Sequence, residues 1–224
     1  MSKYIEVFII CEGQTEQTFI REVLSPEIMH KGIFLYPILI GKPGYQGGNI
    51  KFDRAKVDIK GFLKQRLDTY VSTMFDYFRL EPNWPGNEKT HGKLTATKKA
   101  KEIETATLAE IEKLCTEHNV KKRFIPYIEM HEFEALLFSN TSILADKISV
   151  TKNKIDNILD ECGEPEEIND GSDTSPSKRI IKLNDSYRKI AMGKTISEAI
   201  GIQNIRGKCP HFDGWLIKLE QLVK

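Results

Sequence analysis

Acidic residues stand at the ends of three apolar, strand-like runs. The first run, Tyr4-Ile5-Glu6-Val7-Phe8-Ile9-Ile10-Cys11, stops at Glu12-Gly13-Gln14-Thr15-Glu16. The second, Tyr70 to Phe78, carries Asp76 near its end. The third, Phe124-Ile125-Pro126-Tyr127-Ile128, ends on Glu129 and continues into His131-Glu132-Phe133-Glu134. An aspartate in an apolar strand is costly unless it is paired, hydrogen-bonded or bound to a cation. Carboxylates brought together raise one another's pKa values, and a divalent cation is the usual resolution. No cysteine or histidine cluster accompanies them, so the expected ion is hard and oxygen-preferring, Mg²⁺ or Mn²⁺. Such an ion supplies Lewis acidity and an activated water, which is phosphodiester chemistry. Glu12, Asp76 and Glu129 form the candidate catalytic and metal-binding set, with Glu132 as a further metal ligand. Glu132 and Glu134 lie about 200° apart around a helix, so only one of them faces an ion squarely, and Glu132 is nearer the strand end. The structural alternative for this pair is a glutamate-rich first helical turn, and Glu16 reads equally well as a first-turn glutamate favoured by the helix dipole.

The elements that must position these acids alternate along the chain. The first run suits a buried strand; Gly13 permits a sharp turn, and Thr15 is the expected N-cap of a helix from Glu16 to Met29. Further strands are expected over Ile33 to Ile40, Tyr70 to Phe78 and Arg123 to Glu129. Helical faces recur over Asp53 to Leu67 (Ala55, Ile59, Phe62, Leu63, Leu67) and Lys98 to His118 (Ile103, Ala106, Ile111, Leu114). This order predicts an α/β fold, a mainly parallel sheet flanked by helices, in which ligands bind at the carboxyl ends of the strands. From about residue 140 only short helical patterns occur. The expected organisation is therefore an α/β domain over 1–139 and a helical extension over 140–224 packed on it. In that extension Phe212 to Val223 is an amphipathic helix with Trp215 and Leu219 in the core, and His211 sits in a packed turn before it.

Bulk properties narrow the class. The 224 residues carry a formal net charge of +1 with pI near 7.6, no general nucleic-acid signature. Nothing reads as a signal peptide or a membrane span, so a cytoplasmic location and no membrane partner are expected. Cys11, Cys115, Cys162 and Cys209 lack CxxC spacing and read as reduced thiols. Gly193-Lys194-Thr195 is not a phosphate loop, because Arg188 stands where the upstream glycine is required. The glycine-rich loop from Gly41 to Asn49 reads as a connection beside the same sheet edge as Glu12. From Lys178 to Lys208 eight Lys or Arg stand against two acids, directly after eight acids and no base in Asp156 to Asp173. Lys178, Arg179, Arg206 and Lys208 in that segment are candidate nucleic-acid contacts; solvated faces that neutralise each other fit the pattern equally.

The residues Ile9-Ile10-Cys11-Glu12-Gly13-Gln14-Thr15-Glu16 resemble the first motif of the Toprim domain, the metal-binding module of topoisomerases, primases and overcoming-lysogenization-defect-type nucleases. Phe75-Asp76-Tyr77-Phe78, Asn83-Trp84-Pro85-Gly86, Ile125 to Phe138, Ser175-Pro176-Ser177-Lys178-Arg179 and Cys209 to Trp215 resemble a bacterial Toprim-like family of unknown function. The resemblance implies that Glu12 binds metal or acts as general acid or base, that Glu16 is a second metal-site acid, and that Asp76 is the first acid of an Asp-x-Asp pair. Phe78 stands where the second aspartate belongs, so Glu129 or Glu132 is expected to substitute. The implied function is a Mg²⁺-dependent nuclease acting on DNA or RNA in bacterial defence, with an ATPase partner encoded nearby. The alternative is a non-catalytic subunit that binds nucleic acid or regulates that ATPase.

Overall fold

The computed structural model describes residues 4–41, 50–90, 92, 94–169, 171 and 173–223; the glycine-rich stretch from 42 to 49 lies outside them. Strand β1 (Ile5–Cys11) sits inside the sheet between β2 (Ile33–Leu39) and β3 (Tyr70–Asp76). Two short strands, β4 (Phe124–Ile125) and β5 (Ile128–Glu129), both pair with β3, and every pairing is parallel. The chain is therefore α/β, with all strand ends that carry acids at one edge.

The strand expected over Arg123 to Glu129 is split at Pro126, which has no N–H to give the ladder. Side chains of β3 bridge the gap. Ser72 Oγ donates to the Ile125 carbonyl at 2.5 Å, and Thr73 Oγ1 both donates to the Tyr127 carbonyl and accepts from its N–H, each at 2.9 Å. Strand β3 ends at Asp76, and Tyr77–Arg79 forms a 3₁₀ turn instead of continuing it.

The first helix differs from expectation in two ways. Its N-cap is Gly13, not Thr15, because the Glu16 carboxylate reaches back to the Gly13 N–H at 2.9 Å. It then runs as α1 (Gln14–Phe19), a π-helical turn (Ile20–Leu24) and α2 (Ser25–Ile28). Pro26 cannot donate to the carbonyl one turn back, which accounts for the change of register there.

On one sheet face α3 (Phe52–Gln65) and α4 (Ala96–Leu114) bury Ala55, Ile59, Leu63, Ala100, Ile103 and Ile111 against Ile10, Val71 and Phe75. Leu67 lies past the end of α3 and is exposed, as is Leu114 at the end of α4. Trp84, from the loop before α4, joins this core and donates its indole N–H to Thr107 at 2.9 Å.

On the other face lies a helical layer. The short α5 (Val120–Arg123), whose Val120 belongs to the α3–α4 side, leads into β4, and the other face is covered first by a 3₁₀ helix (Phe133–Ser139) after β5. Then come α6 (Thr141–Lys147), α7 (Lys152–Cys162), α8 (Pro176–Leu183), α9 (Lys189–Ile200), α10 (Ile202–Lys208) and α11 (Pro210–Glu220). One hydrophobic cluster runs from Val7, Ile9 and Cys11 of β1 through Phe19 and Phe133 to Phe212, Trp215 and Leu219. Tyr127 is sandwiched between Trp215 (centroids 4.3 Å apart, planes 12° apart) and His211 (5.0 Å, 20°). The Trp215 indole donates to Ser72 Oγ at 3.0 Å, fastening α11 to β3. His211 lies inside α11, not before it, with Nε2 3.0 Å from both the Ile128 carbonyl and Glu104. Among the described residues no helix is long and apolar enough to cross a membrane.

Because this cluster joins the sheet to the last helix, Trp215→Ala is expected to destabilise the whole chain by about 3–5 kcal/mol. Trp215→Phe keeps most of the stack and should cost roughly half as much. Urea denaturation followed by far-UV circular dichroism measures both, and a Trp215→Ala loss under ~1 kcal/mol would show that α11 does not share the sheet's core.

Candidate functional site

The acids at the sheet edge are held by the elements that end there. The Glu12 N–H donates to the Met74 carbonyl at 3.2 Å, so the turn after β1 is tied to β3. The Glu12 Oε2 in turn accepts from the Asp76 N–H at 3.2 Å, which brings together the ends of two neighbouring strands. Glu16, one turn into the following helix, is buried, and its carboxylate lies against Gly13, where an added Cβ would stand 3.2 Å from Oε2. Asp76 alternates with Met74 on β3 and so shares its face, which looks toward the C-terminal helical layer. Its Oδ1 accepts from the Phe133 N–H at 3.0 Å, at the start of the 3₁₀ helix.

The helical layer supplies the rest. Glu132 Oε2 accepts from the Ser177 N–H at 3.0 Å, at the start of α8. Glu134 is buried and stands 3.3 Å from the ammonium of Lys189, the first residue of α9. Arg79, half-exposed on the 3₁₀ turn, places Nε 3.4 Å from Glu12 Oε1. Tyr187 is buried next to the Glu132–Glu134 pair, and its hydroxyl has no hydrogen-bond partner among the described residues.

Burial and mutual repulsion govern the charge of this group. The Glu12 carboxyl is pushed up to about 8, first by burial and then by Glu16, against the pull of Arg79 and Lys189. Burial, followed by Glu12, Glu16, Glu134 and Glu132, lifts Asp76 well above the usual carboxylate range. Burial raises Glu16 as well, although its own N–H, the Gly13 N–H and Lys189 oppose it. Glu134 rises to about 7, because burial outweighs Lys189. Burial works to lower the Lys189 ammonium, and Glu134, Glu132 and Asp76 together more than offset it. Among the described residues two cations thus face five acids, an imbalance of the kind that marks a candidate functional site.

Five of the acids named from sequence order therefore fall at or beside one edge, but not on equal terms. Glu12, Glu16, Asp76 and Glu132 adjoin one another, joined by Glu134. Glu129 is the register partner of Asp76, yet its carboxylate is fully buried, accepting from the Tyr127 hydroxyl at 2.7 Å and the Met130 N–H at 3.1 Å. Burial and nearby Glu166 hold it well above its ordinary pKa. The basic segment is also divided. Arg179 is bound to Glu161 and the Thr174 carbonyl, and Arg206 to Asp213 and Glu220, leaving their side chains 10% and 15% exposed. Lys178 and Lys208 are exposed. The members that sequence order does not place at the site are Arg79, Tyr187 and Lys189. The last stands in the basic run, but its proximity to Glu134, 55 residues earlier, belongs to the tertiary fold.

The donor set suits a hard divalent cation: carboxylate oxygens and a buried phenol oxygen that has no partner among the described residues. Among the described residues no three acidic, histidine or cysteine side chains stand as a ready-made cage. A cation would have to draw Glu12, Glu16 and Asp76 inward by side-chain rotation, displacing protons from them.

A pH dependence follows. The unfolded carboxyls titrate near 4.5, whereas Glu134 and Glu12 hold their protons to about 7 and about 8 in the fold. Between those values the unfolded chain binds fewer protons, so stability is fully present below pH ~4.5 and is lost as pH rises through 7 to 8. With chelator present, stability should fall on the order of 6 kcal/mol between pH 5 and pH 8, about 2–3 from Glu134 and about 3–4 from Glu12. Mn²⁺ should restore it at pH 8 and do little at pH 5. Denaturation midpoints that stay flat with pH would show that the acids are ionised without cost.

No curated protein and no solved structure matches this chain. The one family found covers residues 11–220, from the last residue of β1 to the end of α11, and spans every residue of the acidic group. On that match the chain belongs to the family described as Domain of unknown function (DUF4276).

Proposed function

We propose that this protein is a Mg²⁺- or Mn²⁺-dependent nuclease whose active site is the acidic group at the carboxyl edge of the sheet. The observation that carries this reading is the convergence of Glu12, Glu16 and Asp76 with Glu132 and Glu134 around a single buried-edge lysine, at a cost in protonation that a divalent cation relieves. Glu12, Glu16 and Asp76 are the residues that would hold the ion, with Glu134 beside them. When bound, the ion supplies Lewis acidity and a water activated for attack on phosphorus. The chain's own groups do the remainder. Lys189 and Arg79 flank the acids and offer donors to phosphate oxygens. Glu132 and Asp76 fix the 3₁₀ helix and α8 through backbone N–H groups, which keeps Glu134 and Lys189 in place.

The resemblance to Toprim nucleases points the same way and brings with it a cytoplasmic defence setting and an ATPase partner. A second reading, a non-catalytic subunit that binds nucleic acid or regulates that ATPase, is favoured by Phe78, which stands at the position of the second aspartate and is exposed. Two measurements separate them. Purified protein, with its ATPase partner where one exists, should nick or degrade nucleic acid in Mn²⁺, and Asp76→Asn should slow this at least 100-fold. Glu12→Gln should weaken Mn²⁺ binding in calorimetric titration about tenfold or more, since it keeps shape and removes a charge. A wild type that neither cleaves nor binds Mn²⁺ would leave the subunit reading in place of the nuclease.

A further inference from the structure

We infer that Phe78 is a stacking platform for an unpaired base and that the site takes single-stranded nucleic acid; this rests on the nuclease reading above. Phe78 follows Asp76 by two residues, so its Cα lies within about 7.6 Å of the Asp76 Cα. It is 39% exposed, whereas Phe75, one residue before Asp76, is wholly buried. The turn that presents it is pinned on several sides. The Phe78 N–H donates to the His131 carbonyl at 3.2 Å, Leu80 N–H to the Tyr77 carbonyl at 3.2 Å, and Ile50 N–H to the Arg79 carbonyl at 2.7 Å. Tyr77 is held by Thr90 at 3.0 Å and packs edge-on against His131 at 5.4 Å.

Cations attend the turn that carries the ring. Arg79 is its neighbour and leans on Glu12, and the Lys99 ammonium stands 5.5 Å over the Tyr77 ring. An exposed ring on a pinned turn, next in the chain to Arg79 and two residues from Asp76, has the composition of a single-strand platform within one nucleotide's reach of the proposed site. In a duplex the base faces are already stacked on one another and cannot reach the ring. Phe78 therefore sets preference for unpaired over paired strands, where an aspartate would only have added charge.

The test is fluorescence anisotropy with chelator present, using a labelled oligodeoxythymidylate, its uridine counterpart and a duplex of equal length. Phe78→Ala, a surface change that should fold normally, is expected to weaken single-strand binding by roughly 5- to 150-fold, the range one base–aromatic stack supplies. Duplex binding should change less than about twofold. The salt dependence should keep its slope, because a stack neutralises no phosphate. Phe78→Trp should restore wild-type affinity. Equal losses on single and double strands, no loss at all, or a wild type that binds no single strand would each overturn the inference. Cleavage in Mn²⁺ is scored separately. A wild type that binds single strands through Phe78 yet cuts nothing would remove the nuclease reading and leave the platform standing. A wild type that cuts, with single-strand binding indifferent to Phe78→Ala, would do the reverse.

Discussion

Asp76 is fixed from both sides of the boundary between sheet and helical layer. Its N–H is taken by Glu12 from the neighbouring strand, and its carboxylate holds the first N–H of the 3₁₀ helix that begins the helical layer. A buried carboxylate in that position costs free energy unless its charge is answered, and among the described residues Lys189 and Arg79 are the cations that face the acidic group. Much of the chain is arranged around that constraint. Glu132 is used to seat α8, Lys189 opens α9 against Glu134, and Glu16 closes the turn after β1. Removing charge from one of the acids would relax the fold and dismantle the group together, whereas removing it from Lys189 would leave the acids unanswered.

The fold was legible wherever hydrophobic period and strand length agreed. β1, β2, α3 and α4 follow from apolar patterning, and Trp215 and Leu219 take the core positions their spacing gives them. The misses have local causes. Thr15 looks like a cap on residue type alone, but a glutamate three residues after Gly13 completes a capping box that leaves Thr15 inside the helix. The fourth strand breaks at Pro126, which has no N–H to give, and the repair by Ser72 and Thr73 comes from a strand about 50 residues earlier, out of sight of the sequence around Pro126.

The acids were legible in kind more than in arrangement. Strand ends in a parallel sheet bring Glu12 and Asp76 together by topology, so order along the chain suffices for them. Glu129 has the same register, but whether its carboxylate faces a site or a tyrosine depends on the helix packed above it. The helix-angle argument that separates Glu132 from Glu134 fails to select one, because the segment is a 3₁₀ helix entered from an extended residue and each acid finds its own partner. Arg179 and Arg206 show the opposite limit: a run of bases says nothing of which acids will claim them.

Lys189, the counter-ion of the acids, comes from α9, long after the last strand. During synthesis the chain emerges from its N-terminus, so the strands that carry Glu12 and Asp76 leave the ribosome well before the residues that answer their charge. Until α8 and α9 dock, the Glu132 and Glu134 carboxylates have no partner there and the acidic edge stays open to water, where its acids ionise normally and repel. Assembly of the acidic arrangement is thereby deferred until α8 and α9 have been made. Under the nuclease reading proposed above, such a delay keeps the half-made chain inert toward nucleic acid.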